Sequence, residues 1–243
     1  GSTLSKEDKN TFKNTLFALT KKLINGEVAS IEDQLLKINH LEQKRKQINV
    51  KEVNDIHIVS GLLQDCKEYG TLPFSILARH GFIAKSLLQS LVNIGILSEK
   101  DFYNFLSSIK TVAGELIDDA DKFLSKKISY RNFIEKYGHL RPGTYDILSK
   151  RYDEIGSLFK NKRKKTTSLE KPNFKLSLEK KNKIKMLLEK DKLGITVDQL
   201  FNYIEKSTRA REYAKFIFSK NISDALFCIE KIGLKLNMNK NQL

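Results

Sequence analysis

The chain has 243 residues, is 40% hydrophobic and carries a formal net charge of +15, enough length and apolar content to bury a core, which excludes wholesale disorder. Its oiliest stretch, Gly81 to Leu97, is interrupted by Lys85, Gln89 and Asn93, so no segment supplies the roughly 20 apolar residues of a membrane helix. A cytoplasmic protein with no membrane partner is expected, since the N-terminus lacks a signal-peptide pattern and Gly1-Ser2 reads as the remnant of a cleaved expression tag.

Helical periodicity dominates, and three prolines leave it long uninterrupted stretches. Ser5-Lys6-Glu7-Asp8 opens a helix whose apolar residues Phe12, Leu16, Leu19 and Leu23 recur every three or four positions. Ser30 to Asp33 opens a second, with Leu35, Ile38 and Leu41. Ser98 to Asp101 precedes Phe102, Phe105 and Ile109, and Thr196 to Gln199 precedes Leu200 and Tyr203. Each places a hydroxyl three residues ahead of a side chain that can answer it, the pattern of a capping box. No alternating run reads as a strand, so the expected fold is mainly α. Cys66 and Cys228 sit in apolar helical contexts and read as reduced, buried thiols.

Breaks are expected at Gly70 to Pro73, at Gly138 to Gly143, and across a basic region ending at Pro172. These divide the chain into a helical body (3–156), a basic linker (157–176) and a C-terminal helical part of the same domain (177–243). Between Lys160 and Lys192 there are 13 basic residues against four acids, a net +9, with Phe174 as the only aromatic. Charge without interleaved aromatics reads as a solvated linker, and nucleic acid is the less favoured partner. A helical nucleic-acid-binding module using this stretch is the competing hypothesis from another functional class.

Several chemistries are missing. Neither G-x-x-x-x-G-K-[ST] nor G-x-G-x-x-G occurs, so neither common phosphate-cradling loop is present. The four histidines and two cysteines show no metal-ligand spacing, so no metal site is expected. The densest cluster of chemically capable residues is instead Lys136 to Ile147, KYGHLRPGTYDI. Two glycines and a proline at a helix end can expose His139, Arg141, Thr144 and Tyr145 together. Arg141 suits bidentate grip of a carboxylate or phosphate, and His139 suits proton transfer near neutral pH. The alternative is a plain helix stop in which Arg141 pairs with a nearby acid and His139 satisfies backbone carbonyls.

KYGHLRPGTYDI, preceded by NFIE, resembles the Y-G-H-R-x-P-type signature of the phosphoenolpyruvate synthase and rifampicin phosphotransferase superfamily. FSILARHGFIAKSLLQSLVNIGILS, continuing to FLSSIKTVAGEL, and REYAKFIFSKNISDALFCIEKIG are similar to helical stretches of the same domain. That domain lies between the ATP-grasp portion and the swivelling phosphohistidine domain. The resemblance covers about residues 70 to 155 and 205 to 235. It implies an acceptor-binding fragment of a dikinase-type phosphotransferase, with ATP and Mg on a nucleotide-binding domain, a phosphohistidine on another domain, and AMP, phosphate and a phosphorylated acceptor as products. Because the chain lacks both the nucleotide-binding half and a T-x-H-x-A-like segment, it is expected to bind and not to catalyse alone. The LRPGTYDI wording resembles the L-glutamine kinases of capsule phosphoramidate synthesis, making L-glutamine the expected acceptor, with pyruvate or an antibiotic hydroxyl as alternatives.

The same resemblance points to a set of site residues. His139 would take a proton from the acceptor. Arg79 and Ser86 share a helical face, with Lys85 beside them; Thr111 and Glu115 share another. An amino-acid acceptor needs a cation for its carboxylate and an acid for its ammonium, so Arg141 or Arg79 with Glu115 is the expected pairing. Arg209 and Arg211 would steady the incoming phosphoryl group.

Overall fold

A computed structural model describes residues 5–49, 55–155 and 174–243. The helices are α1 (Lys6–Ile24), α2 (Ile31–Lys46), α3 (Ile56–Asp65), α4 (Leu72–Asn93), α5 (Glu99–Ser108), α6 (Val112–Leu124), α7 (Tyr130–Tyr137), α8 (Leu178–Lys190) and α9 (Val197–Lys235). No strand occurs among the described residues, so the chain is mainly α, and no helix among them is long and apolar enough to cross a membrane.

Three of the four expected capping boxes form in full, and at Ser30 the hydroxyl half is present. The Ser5 and Ser98 hydroxyls accept from the amides of Asp8 and Asp101, whose carboxylates reach back to the cap amides. Asp33 N donates to Ser30 Oγ at 3.1 Å. Thr196 and Gln199 exchange bonds of 2.8 and 3.2 Å. These local bonds satisfy helix-end donors that would otherwise be orphaned, which is why four residues suffice to announce each start.

The expected break at Gly70 to Pro73 does not occur. Helical structure runs from Ile56 to Asn93, with a π-helical segment, Cys66–Thr71, joining α3 to α4. Pro73 falls in the first turn of α4, where an amide has least need of an intrahelical partner. Gly70 serves close approach here: a Cβ on it would lie 2.7 Å from the Cβ of Phe218. The second expected break does form, because α7 ends at Tyr137 and the chain turns through 138–151.

The chain divides into two compact units. The first comprises the described residues within Gly1–Gln34, Ile76–Ile109 and Pro172–Arg211; the second, those within Leu35–Ser75, Lys110–Lys171 and Glu212–Leu243. Of the expected linker, 157–173 lies outside the described residues. Phe174 is only partly exposed: its ring packs against Phe105 and Phe201 of the first unit, with centroids 5.1 and 5.9 Å away.

The first unit has an apolar and aromatic core, including Leu77, Leu88, Phe102, Phe105, Ile184 and Ile204. One expected core face stays open, since Phe12, Leu16 and Leu19 of α1 are all exposed. The second unit buries Leu62, Phe133, Tyr137 and Cys228, and with them an unusual number of charges. Asp224, 1% exposed, accepts from Arg45 at 2.9 Å and from Arg151 at 2.7 Å. Glu42 takes Arg45 at 3.1 Å and Lys220 at 2.8 Å. Cys66 and Cys228 are free and buried, and burial pushes both thiols up to about 11, so they pack as small hydrophobes.

Candidate functional site

The turn after α7 is built by side chains reaching it from α9. Ser223 Oγ donates to the carbonyl of His139 at 2.6 Å and accepts from Arg141 Nε at 3.3 Å. Arg141 Nη1 donates to the carbonyl of Ser149, and Ser149 Oγ accepts from the amide of Gly143 at 3.0 Å. The guanidinium thus closes the turn from inside. The expected exposure of His139 and Arg141 is therefore not found: they are 7% and 5% exposed. Only Thr144 and Tyr145 of that set face solvent.

Burial, together with the positive charges of Lys220, Arg45 and Arg151, lowers the His139 imidazole to about 2. The ring is thereby neutral throughout the physiological range, which removes it from the shuttle range that an exposed histidine would occupy. It stands edge-on to Phe216 with centroids 4.9 Å apart, and its Nε2 has no hydrogen-bond partner among the described residues. Burial likewise lowers the pKa of Arg141, whose Nη2 is also unpartnered there.

Beside this turn the second unit holds a cleft of about 170 Å³. Its walls come from three segments: Val112, Ala113 and Leu116 at the start of α6; Tyr137, Leu140 and Thr144 around the turn; and Glu212, Lys215, Phe216 and Ser219 on α9. Thr111 caps α6 by accepting from Gly114 N at 3.4 Å, which orients the first wall. Tyr137 is fixed by Asp119, which accepts from its hydroxyl at 2.9 Å and from Lys136 at 3.0 Å. Burial alone would raise Asp119, but bonds from Lys122, Lys136 and Tyr137 hold it at about 2. The cleft is thus lined mostly by apolar and aromatic side chains, with one acid and one base three positions apart on α9. Neither Glu212 nor Lys215 forms an ion pair among the described residues.

No protein-family model, characterised protein or solved structure matches this chain.

The expected site residues distribute unevenly. Thr111, Glu115, His139, Arg141, Thr144 and Tyr145 belong to the second unit; Arg79, Lys85, Ser86, Arg209 and Arg211 belong to the first. Thr144 lines the cleft. Glu115, expected to meet an ammonium group, pairs with Lys136 at 3.2 Å. In the first unit Arg211 stacks over Phe82 at 5.8 Å and Arg209 pairs with Glu205 at 3.6 Å, while Arg79, Lys85 and Ser86 are exposed. Glu212 and Lys215 lay in a stretch the sequence singled out. Leu140 and Ser219 carried no chemical signal of their own; only their chain neighbours did.

The basic stretch loses much of its free charge where it is described. Lys180 and Lys181 pair with Asp101 and Asp198 at 2.7 and 3.2 Å, and Lys183 pairs with Glu179 at 2.6 Å. Lys162-Arg163-Lys164-Lys165 lies outside the described residues.

Proposed function

We propose that the cleft walled by α6, the turn after α7 and α9 binds the acceptor of an ATP-dependent phosphotransferase, with L-glutamine as the preferred acceptor. On this reading the chain is the acceptor-binding portion. The nucleotide, its Mg and the phosphohistidine belong to other domains of a longer protein, and AMP and phosphate leave with the phosphorylated acceptor.

One observation carries the proposal: three separate stretches with the same resemblance each contribute a wall to this single cleft. Their chemistry also fits an α-amino acid. Glu212 is available for an ammonium group and Lys215 for a carboxylate, each without a competing ion pair among the described residues. Leu140, Phe216 and Leu116 offer an apolar lining for methylene groups, and Thr144 and Ser219 add hydroxyls able to meet a side-chain amide. At about 170 Å³ the cleft is smaller than the roughly 300 Å³ at which drug-sized sites begin, which favours a small metabolite over an antibiotic. Pyruvate has no ammonium group and would leave Glu212 unanswered.

On this reading the neutral, buried His139 positions Phe216 and the turn and takes no proton from the acceptor. Arg141 likewise acts by closing the turn. A thermal-shift comparison tests the assignment: L-glutamine should stabilise the chain by about 1 to 3 kcal/mol at roughly 10 to 100 times its dissociation constant, and pyruvate should not. Stabilisation by pyruvate alone would overturn it.

A further inference from the structure

We propose that the first unit carries a second, separate binding site, for a neutral polyhydroxylated small molecule of the sugar or cyclitol kind. The site is a cavity of about 450 Å³ between the α1–α2 loop and the loop leading into α9, a volume within the usual range for ligand pockets. None of the residues expected from the sequence to act on an acceptor lines it.

The cavity is shaped by two turns that hold left-handed backbone. Gly26 and Ala29 have φ of +72° and +48° on one side; Lys192 and Gly194 have +52° and +75° on the other. Ala29 pays a steric penalty that glycine would avoid. Buried His80, 1% exposed, offsets it: its Nε2 lies 3.0 Å from the Ala29 carbonyl and its Nδ1 lies 2.9 Å from the hydroxyl of Tyr203. The carbonyl only accepts, so Nε2 carries the proton and the bare Nδ1 accepts from Tyr203. The phenol has thereby spent its proton inward, and its oxygen lone pairs remain for a donor arriving from the cavity. One histidine fixes both the loop and the tyrosine.

The remaining lining selects the ligand class. The Gln199 carbonyl is committed to the Thr196 amide at 2.8 Å, which leaves its NH2 to donate. Ser30 Oγ accepts from Asp33 N, which leaves its proton. Asn202 is exposed on the cavity wall and offers a donor and an acceptor on one side chain. Both donors and acceptors therefore line the cavity, as hydroxyl groups require, since each hydroxyl both gives and takes a bond. Leu23, Ile24, Ile31 and Ile195 provide apolar surface for C–H faces. An anion is disfavoured because the cavity's lysine, Lys206, is ion-paired to its one carboxylate, Glu32. A lone carboxylate is also too few ligands for a metal ion.

The test is saturation-transfer NMR on the full 243-residue chain, with D-glucose, D-galactose, N-acetyl-D-glucosamine and myo-inositol as separate probes, followed by titration of any that respond. At least one probe should bind with a dissociation constant of about 10 mM or lower. Asn202→Leu should weaken that binding about five- to tenfold, and Tyr203→Phe about threefold or more, consistent with one lost hydrogen bond each. Lys215→Met, in the second unit, should leave it unchanged, so that failure of the acceptor proposal and failure of this one are separable. Three outcomes would overturn the site: no response from any probe, binding that survives Asn202→Leu, or displacement of the bound probe by equimolar inorganic phosphate. Asn202 is exposed, so its variant decides the matter even if Tyr203→Phe fails to fold, with circular dichroism as the check.

Discussion

The two parts of α9, before and after Arg211, bury different kinds of side chain. Up to Arg211 its buried side chains are mostly apolar, among them Leu200, Ile204 and Ala210, and its buried tyrosine has a neutral partner in His80. From Glu212 onward it buries Lys220, Asn221, Ser223 and Asp224. The first arrangement is tolerant, because an apolar contact weakened by one methyl group is still an apolar contact. The second is brittle, because a buried charge that loses its partner keeps the full cost of desolvation. That brittleness has a use: Ser223 and Arg141 hold the turn that forms one wall of the cleft.

The contrast predicts its largest effect at Asp224. Asp224→Ala removes the buried carboxylate that Arg45 and Arg151 share and leaves them only Glu42 and the partly exposed Asp153, so urea unfolding should show a loss of about 3 to 5 kcal/mol. Replacing all three with apolar residues of similar volume should recover most of that loss, since Glu42 keeps Lys220 and the Asp153 carboxylate left by Arg151 is partly exposed to water. A triple variant as unstable as Asp224→Ala would mean that the charges give more than mutual compensation.

The next effect is a pH dependence from the second unit. His139 is held at about 2 when folded and is depressed from its ordinary value by burial first. Above about pH 6.5 both folded and unfolded chains leave it neutral, and there is no penalty. As pH falls below that value the unfolded chain binds a proton that the folded chain refuses, so stability drops by up to about 1.4 kcal/mol per pH unit. Burial lowers His80 as well, which adds loss of the same sign. Urea titrations at pH 7, 6 and 5 should show a shallower decline in His139→Gln than in the wild type; parallel declines would place the dependence elsewhere.

The smallest effect is expected in the apolar core of the first unit. Ile184 is fully buried on α8, and Ile184→Val should cost only about 0.5 to 1.5 kcal/mol in the same assay. A cost equal to that of Asp224→Ala would erase the distinction between the two units.

What the sequence disclosed follows the range of the interactions concerned. The four helix starts were legible because each cap closes within three residues. The turn at Gly138 to Gly143 was legible for the same local reason. The state of its side chains was not: Arg141 meets Ser223 at a separation of 82 positions, and Arg151 meets Asp224 at 73. A rule about turn residues therefore predicted exposure where tertiary partners impose burial. Pro73 misled in the other direction, since a π-helical segment let helical structure continue past it. For the cleft, Glu212 and Lys215 fall inside a stretch that the sequence singled out, whereas their convergence with Leu140 and Thr144 depends on packing. The cavity of the first unit was not legible in the sequence, because nothing local brings its two turns together.

The account turns most on whether the cleft of the second unit grips both charges of an amino acid. Calorimetric titration of L-glutamine into the wild type, Glu212→Gln and Lys215→Met tests this directly. Each variant should weaken binding by about tenfold or more, as loss of a charge-assisted bond of roughly 1.5 to 3 kcal/mol requires, while thermal stability stays within a few degrees because both side chains lie outside the buried network. Binding of L-glutamine with unchanged affinity in both variants would contradict the account.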